Sequence, residues 1–389
     1  MPGPPTPPSP ARSPGVSMRV GLVIYGSLER ESGGYLYDRR LVEHLEARGD
    51  EVVVFSQSER AYPARPLDNV DRSFWRRLAS ADLDVLLQDE LNHASLAFGN
   101  RWLRRQIEAP IVAVVHHLRA DEQRARLSTR AARVLERLYL RTTDARVYNS
   151  PATKRSVESL AGPRPHVVAR PSGRRFGPPV SPERIRRRAL ADGPLRVLFV
   201  GNLIPRKRPG LLVEGLSQVR ATPWRLDLVG ALTANESCAA ALRARIHRLS
   251  DPSRVDLHGR VPDDELKEHL EAAHVLAVPS THEGYGIVYV EAMGRGLRVV
   301  GSPRGGARAV GREGETGRFV DAVEDAVTAV EAGLRFGEPA TSDVGAWSVV
   351  DLPADLLSEA TGIDADAVRS WVAANALAFD TEQNGTVVT

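Results

Sequence analysis

Short apolar runs alternate with glycine-bearing loops and helical patterns along most of this chain. MRVGLVIYG reads as a strand ending in glycine. The polar stretch SLERES and the pair Gly33-Gly34 follow. A helical pattern then runs from Tyr35 to about Arg48, with Leu36, Leu41 and Leu45 on one face, and Gly49 stops it. EVVVFS is the next strand, so the order is strand, glycine loop, helix, strand. That is a βαβ unit and implies parallel strands. DVLLQ, IVAVV, ARVYNS and HVVARP continue the series. Polar residues follow two of these runs where a doubly wound sheet keeps its ligand groups: Asp89 and Glu90 after one, His116 and His117 after the other.

The pattern breaks at FGPPVSPERIRRRALADGP, which is rich in proline, glycine and arginine, and then restarts. LRVLFVG, WRLDLVG, RVDLHG and HVLAVP read as strands. Helical patterns lie after the loop NLIPRKRPG, over 239–249 and over DDELKEHLEAA. The expected organisation is a Pro-rich tail over 1–17, one β/α domain over 18–176, a linker over 177–194, a second β/α domain over 195–320 and an atypical helical segment over 321–389. Two successive β/α domains imply a ligand cleft between them.

The stretch from Ser280 to Val310 concentrates the chemistry. A strand ending at Pro279 is followed by a turn holding Glu283, Gly284 and Gly286, then by a helix from about Ile287 to Arg295 that carries Glu291. A carboxylate in an exposed glycine turn before a helix has backbone N–H groups, a positive helix end and room for close approach. Arg206 and Lys207 stand after another strand and just before a helix beginning near Pro209, a placement that suits a diphosphate.

Charge divides the chain. From Met18 to Leu190 there are 31 Arg/Lys against 21 Asp/Glu, a net of +10; from Ala191 onward there are 20 against 28, a net of −8. A basic half and an acidic half suit different tasks. Arg126, Arg130, Arg133, Arg137 and Arg141 form a basic edge beside an apolar stripe of Leu127, Ala131, Val134, Leu135 and Leu138. Such an edge is either a solvated helix face or a surface for anionic lipid or an acidic acceptor.

The remaining features exclude more than they suggest. One cysteine, Cys238, rules out an internal disulfide and fits a reducing compartment. No apolar run has the length of a membrane span. Residues 1–17 lack a signal peptide's apolar core and read as a disordered tail, with Met18 as an alternative start. No metal-ligand spacing is present: His116 and His117 diverge as loop neighbours, and the Asp82–Asp84 DLD precedes its strand. The segment after 351 reads as two helices around Gly362, faintly like a helix-turn-helix, but the acidity of this half opposes nucleic-acid contact.

Taken together, Gly33-Gly34 with its helix, VVHH, VGNLIPRK, and EGYGIVYVE with its trailing AMGRG and PRGG resemble glycosyltransferase family 4. The resemblance covers Met18 to about Val320 and implies an α/β GT-B fold, two Rossmann-like domains facing across a cleft. It implies a retaining transferase that moves a hexose from a UDP- or GDP-sugar, with the nucleotide sugar as substrate and neither cofactor nor metal required. The acceptor is left unidentified, with lipid-linked and polysaccharide acceptors among the candidates. The location would be cytoplasmic, with peripheral contact at an anionic inner membrane face as a further expectation. The resemblance assigns Glu283, Lys207 and His116 to catalysis: Glu283 to the donor sugar, Lys207 to the leaving diphosphate, His116 to the sugar in the cleft. Gly33 and Gly34 would bring backbone to the phosphate. Gly284, Tyr285, Gly286 and Ile287 would hold sugar and phosphates, Glu291 the ribose and Val261 the base. The family's usual arginine after the strand glycine is Asn202 here, so one diphosphate cation is either missing or supplied by Arg206. A non-catalytic sugar-nucleotide-binding protein is the alternative that Asn202 keeps open, and a fusion with a C-terminal DNA-binding element is another.

Overall fold

The computed structural model describes residues 18–30, 32–121, 126–171, 173–220, 223–301, 310 and 317–319. The tail over 1–17, the PRGG at 303–306 and the segment 321–389 lie outside the described residues. The chain divides into two compact units between Arg170 and Pro171.

The first unit runs β1 (Arg19–Tyr25), α1 (Gly33–Ala47), β2 (Glu51–Gln57), α2 (Arg72–Ala79), β3 (Val85–Asp89), α3 (His93–Leu96), α4 (Gly99–Leu103), β4 (Ile111–Val115), α5 (Arg126–Leu140), β5 (Ala145–Tyr148), α6 (Pro151–Ala161) and β6 (His166–Val168). Its strands form one parallel sheet in the order β2-β1-β3-β4-β5-β6. Val20, Leu22 and Ile24 pack into one apolar cluster with Leu41 and Leu45 of α1. Val23 packs into another with Phe74, Trp75 and Leu78 of α2. Beyond Arg19, which is buried at its start, β1 is buried on both faces, which is why it reads as an apolar run.

The second unit runs α7 (Pro182–Ala189), β7 (Leu195–Val200), α8 (Pro209–Gln218), β8 (Trp224–Val229), α9 (Glu236–Ile246), β9 (Val255–Gly259), α10 (Asp263–Ala272), β10 (Val275–Ala277), α11 (Ile287–Gly294), β11 (Arg298–Gly301) and β12 (Gly317–Phe319). Its sheet is also parallel, in the order β12-β11-β10-β7-β8-β9. One apolar cluster, including Leu198, Phe199, Leu212, Leu228 and Leu276, fills this unit.

Three local features differ from the sequence reading. Helix α1 begins two residues before Tyr35 because the Ser32 hydroxyl accepts from the Tyr35 N–H at 3.5 Å and caps it there. Residues 177–194 are not an open connection: they hold α7 and are fastened to the second unit. Arg188 donates to the carbonyls of Glu271, Arg295 and Gly296 at 3.1, 3.1 and 2.7 Å. The third difference is in α5, where Ala132, Glu136, Tyr139 and Leu140 are buried, while Ala131 and Val134 are exposed. The buried face is turned by one residue because it includes a carboxylate. Glu136 Oε1 accepts from the N–H groups of Arg119 and Ala120 at 2.5 and 3.3 Å. An apolar-only reading passes over such a position. The basic edge survives this rotation: Arg130, Arg133, Arg137 and Arg141 are exposed.

Candidate active site

In the second unit the chain order runs from β7 outward through β8 and β9, then returns so that β10 lies on the other side of β7. Loops leaving the C-terminal ends of strands on either side of such a reversal diverge and leave a crevice. The loop after β7 carries Arg206 and Lys207, and the loop after β10 carries Glu283. The two loops meet. The Lys207 ammonium donates to Glu283 Oε1 at 2.6 Å, and Arg206 Nη1 lies 3.5 Å from Glu283 Oε2. Arg206 also donates to the His282 carbonyl at 2.6 Å, the Thr281 N–H donates to the Arg206 carbonyl at 2.8 Å, and the Ser280 hydroxyl donates to Glu283 Oε1 at 2.5 Å.

Glycines allow this approach. Gly201, at φ +152°, would set a Cβ 3.3 Å from Lys207 Cε. At Gly230, after β8, a Cβ would lie 2.0 Å from the Gly201 carbonyl oxygen, so the β7 and β8 loops touch backbone to backbone.

The Glu283 turn is not exposed as the sequence reading expected. Glu283 is 6% exposed, because its carboxylate is turned inward onto the two cations. Burial alone would push that carboxyl up. The Lys207 and Arg206 charges and the hydrogen bonds from Lys207 and Ser280 outweigh it and hold the group down at about 2. Burial pushes the Lys207 ammonium below its ordinary value and Arg206 adds to this, against the pull of Glu283. Glu283 is therefore ionised at neutral pH.

Gly286, in the left-handed region at φ +85°, turns the chain into α11. A Cβ there would lie 2.4 Å from the Tyr289 ring, whose hydroxyl donates to the Val278 carbonyl at 2.8 Å. Gly284 and Ile287 are half-buried around this turn and Tyr285 is buried. Glu291 lies on α11, buried, with Oε1 3.6 Å from Arg175 Nη1. Arg175 in turn holds Asp263, with Nε donating to Oδ2 at 3.1 Å. Burial pushes Glu291 up to about 7, with Arg175 opposing. Val261 follows β9, half-buried against the core.

The first unit has a reversal of its own, at β1 between β2 and β3. Gly33 and Gly34 open α1 beside it. A Cβ on Gly34 would lie 3.2 Å from His116 Cδ2, so glycine lets this backbone approach the imidazole after β4. His116 Nε2–H donates to Asp38 Oδ1 at 3.1 Å, and the ring meets Tyr37 edge-on at 5.1 Å. Burial would lower the His116 pKa, but Asp38 above all, then Asp89 and Glu90, carry it up to about 9. Burial and the Asp38 charge push Asp89 up to about 7, against His116. His117 is half-buried beside this group.

Four contributors were not singled out by sequence: Arg175, Asp38, Asp263 and Ser280. Only Ser280 left a trace, three residues before Glu283. The other three lie far along the chain from the groups they touch or on a helix face read as apolar.

Residues 194–335 match the family described as glycosyl transferases group 1. The chain carries a group 1 glycosyltransferase domain. A D-inositol 3-phosphate glycosyltransferase of Kineococcus radiotolerans is 28% identical over 72% of this chain and 74% of its own length. One from Xylanimonas cellulosilytica is 33% identical, over 38% of this chain and 36% of its own length. A D-aminoacyl-tRNA deacylase of Haloarcula marismortui is 49% identical over 71 residues, 18% of this chain and 16% of that protein. Among these relatives only the Kineococcus protein is spanned over more than two thirds of its length. Among solved structures, a sucrose-phosphate synthase from Thermosynechococcus elongatus superposes with a TM-score of 0.69 at 20% identity, covering 92% of this chain and 96% of its own. Anabaena HepE in complex with UDP-glucose gives 0.64 at 18%, covering 93% and 98%. The glycosyltransferase domain and its GT-B fold, expected from the motifs, are both found.

Proposed function

We propose that the whole chain is a retaining glycosyltransferase that moves a hexose from a nucleotide-sugar donor to an acceptor. The observation that carries this reading is the meeting of Lys207, Arg206 and Glu283 at the strand reversal of the glycosyltransferase domain. Lys207 and Arg206 supply positive charge for a leaving diphosphate. Glu283, ionised and fixed by Lys207 and Ser280, is an acceptor for sugar hydroxyls. In such a site the leaving phosphate assists the acceptor on the same face, so the side chains contribute positioning and charge stabilisation and none acts as a nucleophile. In the first unit the cationic His116, held by Asp38, is a donor to a sugar or phosphate oxygen.

A UDP-hexose is the favoured donor, since Anabaena HepE, of the same fold, is solved with UDP-glucose; a GDP-hexose is the alternative. An anionic acceptor agrees with the net +10 over Met18–Leu190 and with relatives named for inositol 3-phosphate. No helix among the described residues is long and apolar enough to cross a membrane. The single cysteine, which suits a reducing compartment, and the basic edge of α5 support a cytoplasmic enzyme in peripheral contact with an anionic membrane face. A metal-independent mechanism is part of it, with Lys207, Arg206 and the α11 N-terminus in the cationic role.

Purified protein would be offered UDP- and GDP-hexoses with inositol phosphates, lipid-linked acceptors and oligosaccharides. Nucleoside diphosphate release would be followed, and the anomeric configuration of the product read by NMR. Retention supports the proposal. Binding of every donor without transfer or hydrolysis would favour a sugar-nucleotide-binding protein instead, the reading to which Asn202 lends itself.

A further inference from the structure

At the β9 edge of the second unit's sheet, three side chains from separate elements converge. Asp227 lies in β8, His258 in the neighbouring edge strand β9, and His269 in α10 packed over them. One ligand atom from each lies within 4.8 Å of the other two. His258 Nε2 is 2.8 Å from Asp227 Oδ1, and the two imidazole centroids are 4.4 Å apart at a tilt of 58°. Glu265, one turn before His269 on α10, brings Oε1 to 3.8 Å from His269 Nε2. Arg196 Nη2 lies 3.6 Å from the other oxygen of Asp227. The two histidines and Glu265 line a cleft of about 660 Å³.

We propose that Asp227, His258 and His269 form a site for one divalent ion of the zinc class, with Glu265 as a fourth ligand. Two imidazoles and a carboxylate are a donor set such ions favour, at bond lengths of about 2.0–2.2 Å. Tetrahedral bonds of that length set donors roughly 3.4 Å apart, so rotation of His269 and Glu265 toward the His258–Asp227 pair closes the set. Arg196 fixes the carboxylate oxygen that does not face His258, the kind of outer contact that orients a ligating group. The two imidazoles lie close and tilted rather than stacked, an arrangement compatible with ring nitrogens turned toward one shared ion. Sequence spacing could not show this site, because Asp227, His258 and His269 come from three elements and match no contiguous motif.

An ion here would tie the edge strand β9 to α10 across the turn holding Val261. The site is distinct from the Lys207–Glu283 loops, which follow β7 and β10, and the inference does not rest on the proposed transfer reaction. Full-length protein stripped with chelator would be titrated with Zn²⁺ by calorimetry and with Co²⁺ by visible absorption. One equivalent should bind, with the intense absorption of tetrahedral Co²⁺, and Zn²⁺ should raise the melting temperature. His269→Gln, at a half-buried position of α10, should weaken Zn²⁺ at least tenfold and abolish the Co²⁺ bands, and His258→Gln, at an exposed position of β9, should do the same. Circular dichroism would show that each variant is folded; if His258→Gln is not, His269→Gln and Glu265→Gln decide. Absence of stoichiometric binding by the parent overturns the proposal, as does parental binding by the folded histidine variants, which would place the ion elsewhere.

Discussion

The ammonium of Lys207 lies 2.6 Å from the carboxylate of Glu283, across 76 positions of sequence. The pair joins the loop after β7 to the loop after β10 at the point where the strand order reverses. Glu283 is buried and Lys207 half-buried, so the carboxylate depends on this pair for its charge. A ligand bringing negative phosphates to Lys207 competes with Glu283 for the same donor. Arg206, 3.5 Å from the other carboxylate oxygen, can keep Glu283 paired when this happens.

Glu283→Gln should therefore cost stability as well as turnover. It leaves the half-buried Lys207 opposite a neutral amide, and breaking one side of a fully buried pair costs about 3–5 kcal/mol, an upper bound here. The melting temperature at pH 7 should fall and transfer should drop at least about a hundredfold, or roughly 2.7 kcal/mol of activation free energy. The sign with pH follows from the depressed carboxyl. Its stabilising contribution is complete above the ordinary 4.5 and fades as pH falls toward about 2. The parent's advantage over the variant should shrink through that window. Equal melting temperatures at pH 7 would contradict the pairing.

The phosphate role of the β7 loop is tested by binding alone. Charge-assisted contacts to phosphate are worth about 1.5–3 kcal/mol. With Asn202 in place of an arginine, few cations share that task, so Lys207→Ala should weaken nucleoside diphosphate binding at least about tenfold, some 1.4 kcal/mol. Arg206→Ala should weaken it too, and Asn202→Arg should leave it equal or tighter. Calorimetric titration of UDP and GDP into each variant reads the result. Parental affinity in Lys207→Ala would remove the loop from the phosphate site.

Glu291 makes the opposite pH prediction from Glu283. Burial raises its carboxyl to about 7, so the folded state holds a proton that the unfolded chain releases near 4.5. Stability linked to this group is full below about 4.5 and is lost as pH rises through about 7. Glu291→Gln, which imitates the protonated form, should be nearly neutral at pH 4.5 and raise the melting temperature at pH 8. A fall at pH 8 would mean that the Arg175 contact at 3.6 Å outweighs burial.

Periodicity was enough to read the first sheet and β7 to β10 of the second, because strands such as β4 are buried on both faces and show as unbroken apolar runs, whereas the short β11 and β12 were not read as strands. The Lys207 and Glu283 loops were legible because glycine and charge cluster after such runs. The inward turn of Glu283 was not: sequence shows that a carboxylate sits in a glycine turn, but not that two cations from another loop draw it under. The buried face of α5 was misread for a related reason. Glu136 is buried among polar partners, where burial also holds His93 down at about 4 and pushes Glu136 up to about 8. A rule that places only apolar residues inside assigns that position to the surface.

The basic edge of α5 separates two readings that the fold leaves open. Arg130, Arg133 and Arg137 are exposed on one helix, and none of them adjoins the Lys207–Glu283 site of the other unit in sequence or domain. A solvated face would tolerate their loss without consequence. A surface for anionic lipid would not, since each basic residue near such a membrane contributes about 1 kcal/mol of attraction. If the edge binds membrane, the protein should sediment with vesicles containing acidic phospholipid at low salt and be released at high salt, as screening shortens the range of the field. Neutral vesicles should not retain it. Changing Arg130, Arg133 and Arg137 to glutamine should lower the partition coefficient by more than tenfold while leaving the melting temperature and nucleoside diphosphate affinity unchanged. Equal sedimentation of parent and variant would assign the edge to solvent, and binding of an anionic acceptor would then have to come from other residues of the basic first unit.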